Sequence, residues 1–149
     1  MIRTTMTSTP RSPLPNGVTL LTWSGVLPFA ASLVVALTWH SGRGIALAAF
    51  IGYGAVILSF LGGARWGRGL GAGLGTARYV ESVMPSLLGF AALLIAHQSA
   101  TALLLLLLGF ITWLAIDLRD PLWSAAYKRL RLGITAVVVV LHVAWLFLL

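Results

Sequence analysis

The acidic side chains are the first candidates for chemistry, because the sequence has only three of them and each lies beside apolar runs. Glu81 lies about one turn inside a predicted helix. Pro85, four residues later, cannot donate the hydrogen bond that would satisfy the Glu81 carbonyl. Arg65 and Arg78 are the basic residues expected to lie nearest to Glu81 in depth within a membrane, and an arginine can neutralise a buried carboxylate. We therefore expect Glu81 to clamp two helices through an ion pair, with a lipid, ion or proton site as the alternative.

The other two carboxylates lie close together near the end of a later apolar run. Asp117 closes this predicted helix, and Asp120 follows three residues later. Arg129 or Arg131, at the start of the next helix, is placed to neutralise Asp117. The alternative is that both carboxylates lie exposed at the membrane interface, where they pair weakly with neighbouring basic side chains.

The three histidines are the only candidates for metal or haem chemistry. His40 and His97 end two predicted helices on one side, whereas His142 lies about eleven residues into the last helix. At a rise of 1.5 Å per residue this is roughly 16 Å from the helix start, near the middle of a bilayer. We expect His142 to make one hydrogen bond to a neighbouring helix. The alternative is that two imidazoles meet as a metal, haem or proton-relay pair. We predict no cofactor.

The elements that position these residues are set by an apolar composition. Hydrophobic residues make up 59% of the 149 residues and charged residues only 9%, a balance typical of integral membrane proteins. The net charge of +7 does not indicate nucleic-acid binding, because the basic residues lie between apolar runs. The chain has no cysteine, which excludes disulfides and thiolate metal sites.

Apolar runs of about 20 residues, the length that crosses a bilayer, predict an all-α bundle of five transmembrane helices. A tail over residues 1–17 is predicted to be disordered. The predicted helices cover about residues 18–39, 45–64, 79–97, 99–116 and 132–149. The very short first and third connections favour antiparallel helix hairpins.

The basic residues predict how this bundle is oriented. Nine of the ten lysines and arginines fall in the tail, the second loop and the fourth loop, and only Arg43 falls on the other side. Because positive loops stay in the cytoplasm, we expect a cytoplasmic N-terminus and an external C-terminus. In an organelle, the matrix takes the place of the cytoplasm.

Small residues mark helix 2 as a packing element. Ala55, Ser59, Gly63 and Gly67 recur at every fourth position, which allows neighbouring backbones to approach closely. The glycine-rich stretch 65–78 that follows is expected to form a flexible or tight loop.

Two prolines and several tryptophans add to this prediction. Pro28 and Pro85 lie within predicted helices and should kink them, because proline cannot donate the helical hydrogen bond. The six tryptophans are interpreted as anchors at the membrane interface.

Three sequence blocks carry a family resemblance. They are Tyr53-Gly-Ala-Val-Ile-Leu-Ser-Phe-Leu-Gly-Gly-Ala-Arg-Trp-Gly67, then Arg78-Tyr79 with Ser82-Val-Met-Pro-Ser86, and Tyr127-Lys-Arg-Leu-Arg-Leu-Gly-Ile-Thr135. These blocks resemble the domain-of-unknown-function family 3429, the transmembrane protein 69-like proteins. The resemblance covers about residues 20–147. It implies a small multi-pass protein of the bacterial inner membrane, or of the mitochondrial inner membrane in a eukaryote, and no particular activity.

The leading functional hypothesis is therefore a non-enzymatic membrane protein. It would pack through the small residues of helix 2 as an accessory, assembly or oligomeric component of an inner-membrane complex, with lipids as its other partners. The alternative is an anionic-lipid-binding or small-solute transport protein with a cytoplasmic arginine cluster and Glu81 as a gate. No known catalytic motif is present in the sequence.

Overall fold

A computed structural model describes residues 15–73 and 75–149, and this part of the chain is helical apart from short connections. The helices are α1 (Asn16–Ser24), α2 (Leu27–Thr38), α3 (Arg43–Ala72), α4 (Thr76–Leu94), α5 (Ser99–Arg119) and α6 (Ala125–Leu148). A short 3-10 turn, His40–Gly42, joins α2 to α3. The all-α prediction is confirmed. Most of the tail predicted at 1–17 lies outside the described residues, and α1 already begins within it at Asn16.

The first predicted helix is divided into α1 and α2 at Gly25 and Val26. Pro28 is one of the first residues of α2, a position where its missing N–H costs little. The kink predicted at Pro28 is thus a break in the helix. The hydroxyl of Tyr53 on α3 donates a 3.0 Å hydrogen bond to the Gly25 carbonyl. A neighbouring helix thus supplies a hydrogen bond to the backbone at this break.

The long helix α3 corrects the predicted glycine-rich loop. It continues for 30 residues, about 45 Å at helical rise, and includes most of the stretch predicted as a loop. The helix ends at Gly73, which has a left-handed φ of 60° that favours glycine. The start of α4 packs beside this extension, where the rings of Trp66 and Tyr79 lie 5.0 Å apart edge to face. This packing stabilises a helical conformation that the local sequence does not favour.

The helices α3 and α4 cross closely, and of the predicted row of small residues Ala55 lies at the crossing whereas Gly63 and Gly67 do not. A Cβ at Gly62 would collide with the Ser82 carbonyl oxygen, and one at Gly89 would lie 2.9 Å from the Ala55 carbonyl oxygen. Ala55 therefore packs inside the bundle as expected. Gly63 and Gly67 are exposed, and within the described residues nothing lies within 4 Å of a Cβ at either position.

Pro85 lies at this crossing and does not interrupt α4. Its ring is buried, and its Cγ would lie 3.3 Å from a Cβ at Gly62. A glycine opposite the proline gives the ring room. Helix α4 is thus continuous through Pro85, and the kink at this proline stays a prediction.

Four stretches are long and apolar enough to cross a membrane: Asn16–Thr38, His40–Gly71, Ser99–Arg119 and Ala125–Leu148. Although α4 is less apolar, the C-terminal ends of α3 and α5 meet in the ion pairs described below, so α4 must return the chain along the bundle. Its 19 residues extend about 28 Å, close to the thickness of the hydrocarbon core. The chain thus runs along the bundle five times, with α1 and α2 together forming the first pass.

The interior is aromatic and aliphatic, while the outer surface is also apolar. Phe29, Phe50 and Phe110 lie at the centre, and Phe147 is 88% exposed on the outside. Large exposed apolar side chains around a helical bundle are what lipid contact requires. Trp113 and Trp145 are buried in the core, so the interpretation of all six tryptophans as interface anchors is wrong for these two.

Candidate functional site

The ends of four helices bring together six charged residues, which we call the ion-pair cluster. It consists of Arg65, Arg78, Glu81, Asp117, Asp120 and Arg131. Helix α3 supplies one residue, the first two turns of α4 supply two, the end of α5 and the residue after it supply two, and α6 supplies one. Three arginines meet three carboxylates, so the cluster has no net formal charge.

Arg65 is the centre of the cluster. Its Nη2 donates a 3.1 Å hydrogen bond to Glu81, and its Nη1 lies 3.0 Å from an Asp120 oxygen and 3.8 Å from an Asp117 oxygen. The residue is only 5% exposed, although its position in sequence is close to a membrane boundary. A guanidinium presents several donors in a fixed plane, which allows one side chain to bind carboxylates from two other segments.

Two further arginines complete the cluster. Nε of Arg131 donates to Asp117 at 3.0 Å in a buried contact, and Nη1 of Arg78 donates to Asp120 at 3.1 Å. Both carboxylates are therefore shared between two arginines. Buried charges persist only when they are paired and hydrogen-bonded in this way.

The connection between α5 and α6 is folded tightly around Asp120. One oxygen of this carboxylate accepts a 2.9 Å hydrogen bond from the Leu122 backbone N–H, a local turn typical of aspartate. The Ser124 hydroxyl then caps α6 by accepting from the Tyr127 N–H at 3.2 Å. These bonds explain why Asp120, which follows the last helical turn, is directed into the bundle.

Arg68, on α3, contacts the connection between α5 and α6 through Trp123. Its guanidinium lies 4.1 Å from the centre of the Trp123 ring, and that ring stacks on Tyr127 with centres 4.1 Å apart. A cation over an indole face is attracted by the ring quadrupole. The long α3 helix is therefore held to the connection by both ion pairs and an aromatic contact.

The structure brings most of the charged residues singled out in the sequence into the ion-pair cluster and leaves one of them outside it. It brings Arg65 to Glu81, as the clamp hypothesis required, and Arg131 to Asp117. Arg129 is exposed and outside the cluster. Asp117 and Asp120 are only 3% and 5% exposed, so the alternative of two solvent-exposed interface carboxylates is wrong. The position of Asp120 next to Pro121, at a forced helix end, was the signal that could have indicated an inward turn.

The histidines do not come together. His40 and His97 are exposed, and His142 is fully buried between Phe50 and Phe110. Nδ1 of His142 lies 2.8 Å from the Val138 carbonyl of its own helix, so its hydrogen bond is not to a neighbouring helix as expected. Among the described residues, no group of three histidine or acidic side chains is placed to hold a metal ion.

The fold and the cluster define a class: a small α-helical membrane protein whose helices are joined at one end by buried ion pairs. The chain matches the model of the family described as "Protein of unknown function (DUF3429)" over residues 14–147, and it belongs to that family. The expected resemblance is thereby confirmed.

One relative is Transmembrane protein 69 of Xenopus tropicalis, 34% identical over 131 residues. The match covers 84% of this chain and 51% of the relative, so the chain spans about half the length of that protein. No solved structure shows a significant match to the chain.

Proposed function

We propose that this protein is a non-enzymatic membrane component that binds another transmembrane helix through an outer face of α3. This glycine face consists of Ser59, Gly63 and Gly67. The observation that carries the proposal is that Gly63 and Gly67 are exposed and that no described residue lies close enough to touch a Cβ there. Small residues on a lipid-facing surface let a second backbone approach closely and gain van der Waals contact.

Apolar side chains on either side of the glycine face support the same function. Val56 and Phe60 lie towards the middle of α3 and Leu70 lies near its end, and all three are more than 60% exposed. Such a surface offers a shallow groove with apolar rims. The occupant is a helix of a second copy or of another subunit in an accessory or assembly role.

The substitution of Gly63 and Gly67 by leucine tests this function. Protein extracted from native membranes should migrate as an oligomer or with a co-isolated chain, and the double variant should migrate as a single copy with unchanged folding. Gly44→Leu is the matched control, because Gly44 is also exposed near the start of the same helix with nothing within 4 Å of its Cβ position. A wild-type protein that runs as a lone monomer would contradict the proposal.

The alternative function, in which the arginines bind anionic lipid or a solute, has weaker support. Arg65, Arg78 and Arg131 are already paired with carboxylates, and Arg68 lies over Trp123. Only the half-exposed edge of the cluster at Arg78 and Glu81 is open to a further ligand. Phospholipid that co-purifies with wild-type protein and is lost in Arg78→Gln would favour this alternative.

We also propose a location and an orientation. In this proposal the ion-pair cluster lies at the cytoplasmic end of a bacterial inner membrane, or at the matrix end in mitochondria, because segments rich in basic residues stay on that side. Arg65, Arg78 and Arg131 are neutralised in the cluster. The further basic residues of this end lie within three positions of a cluster residue along the chain and are Arg68, Arg119, Lys128 and Arg129. Positive charge at one end of the bundle supports this orientation.

A further inference from the structure

A cavity of about 480 Å³ lies between α1 and the helices α3, α5 and α6. Its wall is largely apolar and includes Phe29, Ile57 and Val138. Leu21 and Phe60 also line it, and both are about 70% exposed, so the cavity opens to the lipid-facing surface. Helix α1 buries none of its own residues, which leaves this side of the bundle accessible. We call this space the lateral cavity.

Two buried polar side chains line the lateral cavity without using all their hydrogen bonds. Arg131 is 4% exposed and Thr135, one turn further along α6, is 2% exposed. Nη2 of Arg131 and Oγ1 of Thr135 have no hydrogen-bond partner within residues 15–73 and 75–149. Buried polar atoms are normally satisfied. Nine such atoms lack a partner in the described residues, and these two are the ones that belong to residues lining the lateral cavity.

The charge balance limits which kind of acceptor these two donors can bind. Arg131 already pairs with Asp117 through Nε, and the cluster has as many carboxylates as arginines. An anionic group would leave a charge uncompensated away from water, which is unfavourable. A neutral carbonyl oxygen would accept from both donors without adding charge.

We propose that the lateral cavity binds a neutral lipid-soluble molecule with a carbonyl head group and an apolar chain. The carbonyl accepts hydrogen bonds from Arg131 and Thr135 at the end of the cavity near the ion-pair cluster. The chain lies against Ile57, Phe29 and Val138 and leaves through the opening beside α1. The volume is in the range typical of small-molecule sites. An ester carbonyl of a glycerolipid and a quinone carbonyl share this chemistry. Phe60 borders both the lateral cavity and the glycine face, but Ser59, Gly63 and Gly67 do not line the cavity, and the proposal does not depend on the glycine face.

Binding to the purified full-length protein in detergent tests the proposal. The probes are dioctanoylglycerol, decylubiquinone, the dialkyl ether analogue of dioctanoylglycerol, and dioctanoyl phosphatidate. We expect saturable binding of one or both carbonyl probes, measured by native mass spectrometry and thermal shift, and at least about tenfold weaker binding of the ether and the phosphatidate. Which carbonyl probe binds identifies the source of the head group.

Variants separate a binding role from a structural one. Thr135→Val keeps the shape and should weaken carbonyl binding about tenfold while leaving the ligand-free protein equally or more stable. Thr38→Val, on an exposed surface near the end of α2, should change neither property. Ile57→Phe should abolish binding by filling the cavity, and it provides a second test if another variant fails to fold. Equal affinity for the ether analogue, tighter binding of the phosphatidate, or unchanged affinity in Thr135→Val would overturn the proposal.

Discussion

Arg65 shows how one side chain decides the arrangement at one end of the bundle. Its guanidinium has three carboxylates within 4 Å, from the start of α4 and from the end of α5 and the residue after it. The contact with Asp120 is short but does not have hydrogen-bond alignment, so it is mainly electrostatic. Since the residue is buried, this attraction is poorly screened by water. The removal of Arg65 should therefore affect several helices at once.

We expect Arg65→Met to reduce the free energy of unfolding by about 3–5 kcal/mol, because it leaves paired carboxylates buried without a cation. The measurement is reversible unfolding in mixed micelles with increasing SDS. The matched control is Arg129→Met, an exposed arginine outside the cluster, which should change stability by less than about 0.5 kcal/mol. Equal effects of the two substitutions would show that the buried ion pairs give no net stabilisation.

At the scale of elements, the contact between α3 and α4 depends on which glycines face inward. Gly62 lies opposite the Ser82 carbonyl and Gly89 opposite the Ala55 backbone, so the two helices approach at two levels. Gly63 is adjacent in sequence to Gly62 but points about 100° away around the helix. Neighbouring glycines therefore have different roles, one inside the bundle and one on the glycine face.

We expect Gly62→Ala to destabilise the folded protein by about 1–3 kcal/mol, because a methyl group there meets backbone that cannot move freely. Gly63→Ala should retain stability or gain up to about 1 kcal/mol from its better helix propensity. Both are measured by SDS unfolding of dilute protein, where association does not contribute. The assignment of the two faces would be incorrect if Gly63→Ala were the more damaging substitution.

At the scale of the whole molecule, the ion-pair cluster fixes the path of the chain. The C-terminal third of α3, the C-terminal end of α5 and the first two turns of α4 and α6 all meet there. The connections at Ser41 and Gln98 consequently lie at the opposite end of the bundle. Helix α4 therefore runs back along the bundle between these two ends, although its own composition does not identify it as a membrane span.

Single cysteines test this path cleanly, because the natural chain contains none. Ser41→Cys and Gln98→Cys should react with a membrane-impermeant maleimide added outside intact cells. Arg119→Cys should react only after the membrane is permeabilised. If positions 98 and 119 react from the same side, α4 does not cross the membrane. If position 119 reacts from outside and positions 41 and 98 react only after permeabilisation, the path is correct and the orientation proposed from the basic residues is wrong.

The sequence by itself determined that the protein lies in lipid, that its fold is all-α and that its carboxylates need ion pairs. Long apolar runs have few ways to satisfy their backbone in lipid other than as helices, and three carboxylates among apolar residues require cations. The pairing of Glu81 with an arginine followed from the predicted depth of these residues in the membrane.

Only the tertiary structure decided which faces and which partners are used. In a membrane helix both the lipid-facing and the buried sides are apolar, so periodicity does not distinguish Gly62 from Gly63, or buried Trp145 from an interface anchor. Asp120 is directed into the bundle by a local turn, and Thr135 lines a cavity formed by separate helices. Such contacts depend on how the helices pack in three dimensions, which hydrophobicity along the chain does not encode.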